Sequence, residues 1–174
     1  DAEAELTRFV EKTGIPSIFT LLGLGAMDEL HPQAIGMMGM HGHRRANRAL
    51  DECDLLINFG ARFDDRATGN LSGFAPNAKV IHVDIDPAEI GKNVHTDVPV
   101  VGDVKEVLKL LTPEVEPGDH TAWRNWIEGQ QNRVLRAALE DRPDWPEPYS
   151  IIKEIAAATN HDAVLTTDVG QHQM

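Results

Sequence analysis

Two patterns of apolar residues follow each other along the first part of the chain. Apolar residues at helical spacing predict helices, and short continuous apolar runs predict strands. Leu6, Phe9 and Val10 recur at the spacing of one helical face, and Gly14 follows them as a helix stop. Four later stretches are short and apolar, which is typical of strands buried on both faces of a sheet. These predicted strands lie within 17–22, 55–60, 78–87 and 97–103.

Helical patterns separate these strands. Residues 43–54 have helical propensity, and Val107, Leu108 and Leu111 share one face of a later segment. An aspartate followed three residues later by a glutamate indicates where two helices begin, because the aspartate caps the helix and the glutamate can reach back. These pairs are Asp86 with Glu89 and Asp103 with Glu106.

The order of these elements predicts the fold class. Strands that alternate with helices form parallel sheets, because each crossover helix returns the chain to the same end of the sheet. We therefore expect an α/β fold of the doubly wound type, with a mainly parallel sheet and helices on both faces, incomplete at both ends. Residues 1–113 are predicted to form this domain.

A change of pattern then predicts a boundary. Residues 114–148 are interpreted as a helical linker, with one long helix over 120–141 that carries Trp123 and Trp126. The proline-rich end of the segment stops that helix.

Residues 149–174 are interpreted as the start of a further domain. A helical run opens it, and the apolar run at 163–170 is predicted to be a strand. The chain has no initiating methionine and stops just after that strand, so we expect it to be a piece of a longer protein.

Composition narrows the class of protein. With 28 acidic and 16 basic residues the formal net charge is −12, which disfavours binding to nucleic acid. No apolar run approaches the length of about 18 residues that a membrane-spanning helix needs. Cys53 is the only cysteine, so it is expected to pack in a reducing compartment, the cytoplasm.

Candidate chemistry gathers where the predicted strands end. In a doubly wound sheet, ligands bind at the carboxyl ends of the strands, and Gly60, Asp84, Gly102 and Asp103 all occupy such ends. Glycine turns suit a diphosphate and a carboxylate suits ribose hydroxyls, but no complete G-x-G-x-x-G is present. Two interpretations stay open: a nucleotide site, or glycines that close turns and acids that cap helices.

The stretch NFGARFDDRATGN at 58–70 places two arginines around Asp64 and Asp65. Arg62 and Arg66 are expected to hold both carboxylates ionised, with a lowered pKa, which disfavours general-acid catalysis there. Phe63 is expected to pack and fix the loop.

Histidines and methionines cluster just before this region. His41 and His43 are two residues apart and lack a third ligand pattern, so we favour surface or stacking roles over a metal site. Met37, Met38 and Met40 fit either the core or a ligand cleft, and the pattern favours the core.

Four ordered blocks carry a family resemblance: GMMGMHGHRRAN at 36–47, LINFGARFDDRATGN at 56–70, IHVDIDPAEIGKNV at 81–94 and TTDVGQHQM at 166–174. Together they resemble the large catalytic subunit of acetolactate synthases (acetohydroxyacid synthases), thiamine-diphosphate enzymes of branched-chain amino-acid synthesis. The resemblance implies a Rossmann-like central FAD-binding domain over 1–113, the linker, and the start of the thiamine-diphosphate-binding domain. It also implies that a first strand with a glycine run precedes Asp1.

The resemblance further implies ligand positions. Arg66 and Met40 look like residues of the substrate channel, and Val169, Gly170, Gln171 and His172 look like contacts of thiamine diphosphate. The catalytic glutamate and the Mg²⁺ ligands are expected outside these residues, so no catalytic or metal-ligating residue is assigned. The implied FAD contacts are Thr20, Leu21, Met40, His41, Gly42, Gly60, Arg62, Asp64, Arg66, Asp84, Ile85, Gly102 and Asp103.

The implied reaction joins decarboxylated pyruvate to a second 2-keto acid. The implied partners are a homodimer or higher homo-oligomer and a regulatory small subunit, with an exposed face at Trp123 and Trp126 as a subunit contact. In a eukaryote the enzyme would lie in a plastid or mitochondrion. Related enzymes of the pyruvate oxidase or glyoxylate carboligase type, and a noncatalytic nucleotide-binding module, remain alternatives. The chain by itself is expected to be inactive and to bind FAD poorly.

Overall fold

The computed structural model describes residues 1–131, 148–166 and 170. The chain divides into two units, Asp1–Gln131 and Asn132–Met174. The described strands are β1 (Ser17–Phe19), β2 (Ala34–Met37), β3 (Leu55–Phe59), β4 (Lys79–Asp84) and β5 (Val98–Val101). The described helices are α1 (Glu3–Thr13), α2 (Arg44–Glu52), α3 (Asp65–Thr68), α4 (Val104–Glu114), α5 (Thr121–Gly129) and α6 (Pro148–Ala158).

Two parallel sheets form the first unit. β1 pairs with β2, and β3, β4 and β5 form a second sheet in that order. In the larger sheet Leu55 is opposite Lys79 and Phe59 is opposite Val83. The parallel strands and the intervening helices confirm the predicted α/β class, with the sheet in two pieces.

The strand β2 is missing from the sequence prediction. Its four residues read AIGM, and the glycine lowers the strand propensity of the run. The run forms a strand because β1 supplies a partner, and the Met38 N–H donates to the Phe19 carbonyl at 2.9 Å just beyond it. Gly36, at φ +104°, also leaves the space that the His43 ring occupies.

An apolar slot of about 580 Å³ lies between β1 and β3. Within the described ranges β1 pairs only with β2, and β3 only with β4. The Gly60 N–H donates to the Val83 carbonyl of β4. Because main-chain groups of successive residues point to opposite edges of a strand, those of Ile57 and Phe59 point toward the slot. The slot therefore separates two unpaired strand edges.

The core of the first unit lies between the sheets and helices α1 and α4. Phe9 of α1 and Leu108 of α4 are almost fully buried, at 1% and 0% exposure. The rings of Phe9 and Phe59 meet edge to face at 5.7 Å, which ties α1 to β3. The helical face predicted for α4 is confirmed, with Leu111 packed beside Leu108.

Helix α5 packs against α2 through a second buried cluster that contains Ile127. The rings of Trp123 and Trp126 stack at 4.8 Å and are half-buried against this cluster, so the expected exposed tryptophan face is wrong. α5 ends at Gly129, so the single helix predicted over 120–141 does not run through that point. Residues 132–141 lie outside the described ranges.

Local end signals are borne out at two of the three predicted positions. Gly14 ends α1 at φ +73°, in the left-handed region that favours glycine. Asp103 caps α4 and accepts hydrogen bonds from the N–H groups of Lys105 and Glu106. Asp86 begins no helix: its carboxylate accepts from the Ala88 N–H, but residues 87–91 form turns.

The cap of α4 leads to a stability prediction. Asp103→Ala is expected to lower the free energy of unfolding by about 1 kcal/mol, because two N–H groups of the first turn lose their acceptor. Asp103→Asn retains an acceptor and is expected to be nearly neutral. Urea titrations of the 174-residue chain would measure both, and equal losses would contradict a capping role.

In the second unit the structure describes α6 and the residues after it. The predicted helix is confirmed, and Ile151 and Ile152 on it are exposed. Residues 163–166 have no regular secondary structure, and the rest of the strand predicted at 163–170, apart from Gly170, lies outside the described ranges. No helix in the described part of the chain is long and apolar enough to cross a membrane.

Candidate functional site

The carboxyl ends of β3, β4 and β5 converge with the start of α4. The Gly102 N–H donates to the Asp84 carbonyl at 2.9 Å, and the Gly60 N–H donates to the Val83 carbonyl at 2.8 Å. Gly60 faces α4, since a Cβ added to it would lie 3.8 Å from Val104 Cγ2. The residues predicted from the strand ends therefore lie at one edge of the sheet.

The glycines at this edge act through shape. Gly60 has φ +73°, which glycine adopts without strain, and the chain turns there away from β3. The N–H groups of Gly60 and Gly102 are already bound within the sheet, so they are not donors for a ligand. What the glycines provide is a turn and room for close approach.

Three aspartates at this edge each use one carboxylate oxygen for a local backbone contact. Asp64 Oδ1 accepts from the N–H groups of Arg66 and Ala67, both at 3.1 Å, and so caps α3. Asp84 Oδ1 accepts from the Asp86 N–H, and Asp103 caps α4. The capping interpretation is thus confirmed for Asp64 and Asp103, and binding through the second oxygen of each stays a prediction.

Arg62 and Arg66 present their guanidinium groups at the surface beside the end of β3. Both are exposed, and within the part of the chain that the structure describes neither forms an ion pair. No ion pair therefore joins these arginines to Asp64 or Asp65, since Asp64 caps α3, and the expected effect of the arginines on the two carboxylates stays a prediction. Two unpaired arginines at the end of a strand suit an anionic ligand.

Phe63 fixes the loop that carries these arginines. It is 5% exposed at φ +54°, a conformation that is uncommon for a bulky residue. Its ring packs edge to face on Phe74 at 5.6 Å and on His82 at 5.1 Å. Asn93 Nδ2 donates to the carbonyls of Arg62 and Phe63, both at 3.1 Å. The predicted packing role of Phe63 is confirmed.

His82 lies beneath this loop and is fully buried. Its Nε2 is 4.0 Å from Asp84 Oδ2, and neither ring nitrogen has a hydrogen-bond partner among the described residues. Burial lowers the pKa of His82, although Asp84 acts in the opposite direction. The imidazole is therefore neutral at pH 7, and the approach to Asp84 is not an ion pair there.

Two loops meet beside the arginines. We call residues 38–43, between β2 and α2, the methionine loop, and residues 60–66, after β3, the arginine loop. The Met40 N–H donates to the Arg66 carbonyl at 3.0 Å, and Met40 Sδ lies 3.9 Å from Arg66 Nη1. The structure thus brings together Met40 and Arg66, the two residues that the family resemblance assigns to a substrate channel.

The methionines divide between interior and surface. Met37 and Met38 are half-buried, whereas Met40 is 62% exposed, so the core interpretation is wrong for Met40.

His41 is exposed, and the His43 ring lies over Gly36 as a stacking residue. Cys53 is half-buried as predicted, and burial raises the pKa of its thiol to about 11.

The other predicted contacts lie at two further strand ends. Thr20 follows β1, and its hydroxyl accepts from the Gly23 N–H at 3.2 Å. Leu21 and Ile85 are exposed apolar residues after β1 and β4, at 58% and 71%. Gly42 packs against the backbone of Met38 so closely that a side chain would not fit. Of the predicted thiamine-diphosphate contacts, Val169, Gln171 and His172 lie outside the described residues.

Sequence reasoning missed three asparagines that hold these loops. Asn47 of α2 bonds Gly39, Asn58 of β3 bonds Ala61 through both amide atoms, and Asn93 bonds the arginine loop. A signal was present for two of them, because asparagine is unfavourable inside helices and strands. Asn47 and Asn58 occupy such interior positions, which a local hydrogen bond explains.

Residues 1–111 match the family model described as "Thiamine pyrophosphate enzyme, central domain". The chain belongs to this family. The match covers both sheets and the two loops of this thiamine pyrophosphate enzyme central domain, and it confirms the predicted fold class.

Curated relatives match over the whole chain. A protein named "Probable acetolactate synthase large subunit" from Methanocaldococcus jannaschii is 44% identical over 99% of this chain and 31% of its own length. The "Acetolactate synthase large subunit" of Corynebacterium glutamicum is 45% identical over 100% of this chain and 29% of its own length. "Acetolactate synthase isozyme 1 large subunit" of Escherichia coli is 44% identical over 100% and 31%.

These relatives confirm the resemblance carried by the four sequence blocks. The chain spans less than a third of the length of the relatives it matches.

Proposed function

We propose that this chain is the middle part of an acetolactate synthase large subunit, in which it holds FAD beside the channel of a 2-keto acid substrate. The observation that carries the proposal is the match of 44–45% identity over essentially the whole chain to proteins of that name. The contact between Met40 and Arg66 supports it, because two residues expected in one channel lie side by side.

The chemistry of the strand ends fits FAD. Arg62 has no ionic partner among the described residues and suits the diphosphate, and the space beside Gly60 allows a close approach. Asp84 is 6% exposed, and its carboxylate is proposed to accept from a ribose hydroxyl. The thirteen positions named from the resemblance are proposed as the FAD contacts, with Val169, Gly170, Gln171 and His172 toward thiamine diphosphate.

For the substrate, Arg66 would bind the carboxylate of the second 2-keto acid, pyruvate or 2-ketobutyrate, through two parallel hydrogen bonds. The Met40 thioether would form the apolar wall against its alkyl group, since both lie on one exposed surface. Residues 169–172 would contact thiamine diphosphate, with the Mg²⁺ ligands outside this chain, and the bound cofactor would supply the carbon nucleophile for the reaction. The residues of this chain would bind and orient the 2-keto acid.

The remaining expectations belong to the same proposal. We propose 1–113 as the FAD-binding domain, 114–148 as the linker and 149–174 as the start of the thiamine-diphosphate domain. A homo-oligomer and a regulatory small subunit are proposed as partners, and the words "large subunit" in the relatives' names support a second, smaller subunit. A cytoplasmic location stays a prediction.

A product assay on the full-length protein tests this function. With pyruvate alone we expect acetolactate, and with pyruvate plus 2-ketobutyrate we expect the mixed acetohydroxy acid as well. Peroxide with an acetyl product would indicate a pyruvate oxidase, and no turnover with retained flavin would indicate a nucleotide-binding module. Either result would overturn the proposal.

The Arg66→Gln variant of the full-length protein tests the assigned role. It is expected to lower kcat/KM for the second 2-keto acid by about 10- to 100-fold, because a hydrogen bond to a charged group is lost. Arg48→Gln is the matched control, since Arg48 pairs with Asp51 and Glu52 on the surface of α2. Equal kinetics in the two variants would exclude Arg66 as the carboxylate ligand.

A further inference from the structure

A single peptide group connects helix α2 to the arginine loop. Asn47 Nδ2 donates to the Gly39 carbonyl at 2.9 Å. The N–H of the same peptide, which belongs to Met40, donates to the Arg66 carbonyl at 3.0 Å. The peptide between Gly39 and Met40 is therefore bonded on both sides, and hydrogen bonds in such a chain polarise one another.

Asn47 holds Gly39 through both of its amide atoms. Its Oδ1 accepts from the Gly39 N–H at 2.9 Å, in addition to the bond that its Nδ2 donates. Gly39 is buried at φ +98°, and a Cβ there would lie 2.5 Å from the Arg66 carbonyl oxygen. The methionine loop thus touches α3 backbone to backbone at Gly39, where no side chain fits.

Helix α2 is a firm base for this contact. Ala46, Ala49 and Leu50 on it are at most 5% exposed, and α5 packs across the same helix. Arg66, in contrast, is exposed and its side chain has no ionic partner in the described part of the chain. The position of Arg66 relative to Met40 therefore depends on backbone contacts. The Gly42 N–H also donates to the Gly39 carbonyl, at 3.0 Å, but it belongs to the same loop, whereas Asn47 links the Gly39–Met40 peptide to α2.

We propose that Asn47 is a positioning residue, which orients the Gly39–Met40 peptide and thereby holds Met40 and Arg66 together at the substrate channel. This inference rests on the proposed function for the role of the pair, whereas the positioning itself concerns the chain alone. Asn47 does not contact the channel; it acts through the peptide that it binds.

Amide hydrogen exchange of the 174-residue chain, followed by NMR, tests the positioning directly. In Asn47→Ala, we expect the exchange rates of both the Gly39 and Met40 amides to rise by about 5- to 10-fold. The Met40 amide is decisive, because its own acceptor, the Arg66 carbonyl, is chemically unchanged. A merely local role would raise exchange at Gly39 alone.

A second variant separates the two halves of the Asn47 amide. Asn47→Asp keeps an acceptor for the Gly39 N–H and removes the side-chain donor to the Gly39 carbonyl, while the Gly42 N–H still donates to that carbonyl. We expect the Met40 amide to exchange faster, while the Gly39 amide stays protected. Arg48→Ala, one position along α2 and without contact to either loop, is expected to change neither amide.

Folding of the variants is checked by the Leu50 amide of α2, which is expected to exchange at an unchanged rate. Alanine is a better helix former than asparagine, so Asn47→Ala is expected to fold. A Met40 rate within twofold of the parent in a folded Asn47→Ala chain would overturn the inference.

The full-length protein provides an independent kinetic readout. There, Asn47→Ala is expected to raise KM for the second 2-keto acid with a smaller change in kcat. If the product assay fails while the exchange result holds, the proposed function falls and the positioning role remains.

Discussion

Replacing Leu108 by alanine is expected to lower the free energy of unfolding by about 2–5 kcal/mol. Leu108 is fully buried between α1 and the sheets, at 0% exposure, so truncation leaves a cavity lined by aromatic and aliphatic side chains. A loss of this size is a large part of the stability of about 5–15 kcal/mol that is usual for a domain. Urea denaturation followed by circular dichroism would measure it.

The same helix offers a matched control two residues away. Leu110 is 76% exposed on the outer side of α4, so Leu110→Ala removes the same atoms with little burial. Its effect is expected to stay within about 0.5 kcal/mol of the parent. Similar losses for both variants would contradict the arrangement in which α4 packs through Leu108.

Filling the slot between β1 and β3 is also expected to have a large effect on the free energy of unfolding. Joining to Asp1 a designed apolar strand and turn of about 12 residues is expected to raise the free energy of unfolding by about 2–3 kcal/mol, because the strand would fill the slot. A strand directly before α1 would return beside β1 by the right-handed crossover rule. It would pair with both free edges and complete the burial of Ile57 and Phe59.

Thermal unfolding of the extended and parent chains measures this gain, and a dye that binds apolar surface is expected to bind the extended chain less. The control is the same segment with prolines at two adjacent central positions, which removes an N–H donor toward each of the two strand edges. An equal gain with the proline segment would show that the added residues do not act as a strand.

The periodicity of apolar residues in the sequence was sufficient to predict most of the helices and strands. The helix at Leu6, Phe9 and Val10 and the three strands of the larger sheet follow from apolar spacing, because a helix face and a buried strand each impose a fixed period. Local chemistry also placed the ends at Gly14 and Asp103, since caps are interactions between neighbours in sequence.

Errors arose where a distant partner decides the local structure. β2 has too weak a strand propensity to be predicted, and it forms because β1 binds it. The tryptophans of α5 cover α2 and are not free, which no local pattern indicates. The arginines around Asp64 drew attention to charge interactions, but the Asp64 carboxylate caps α3.

For the site, the sequence by itself determined which chemistry is present and at which strand ends it lies. The rule for parallel sheets brings Gly60, Asp84 and Gly102 to one edge, and four sequence blocks were enough to indicate the family. Only the tertiary structure decided that Met40 is exposed beside Arg66, and that Asn47 secures both through one peptide. The physical reason is that these contacts join separate loops, and their geometry depends on how the whole sheet and its helices pack.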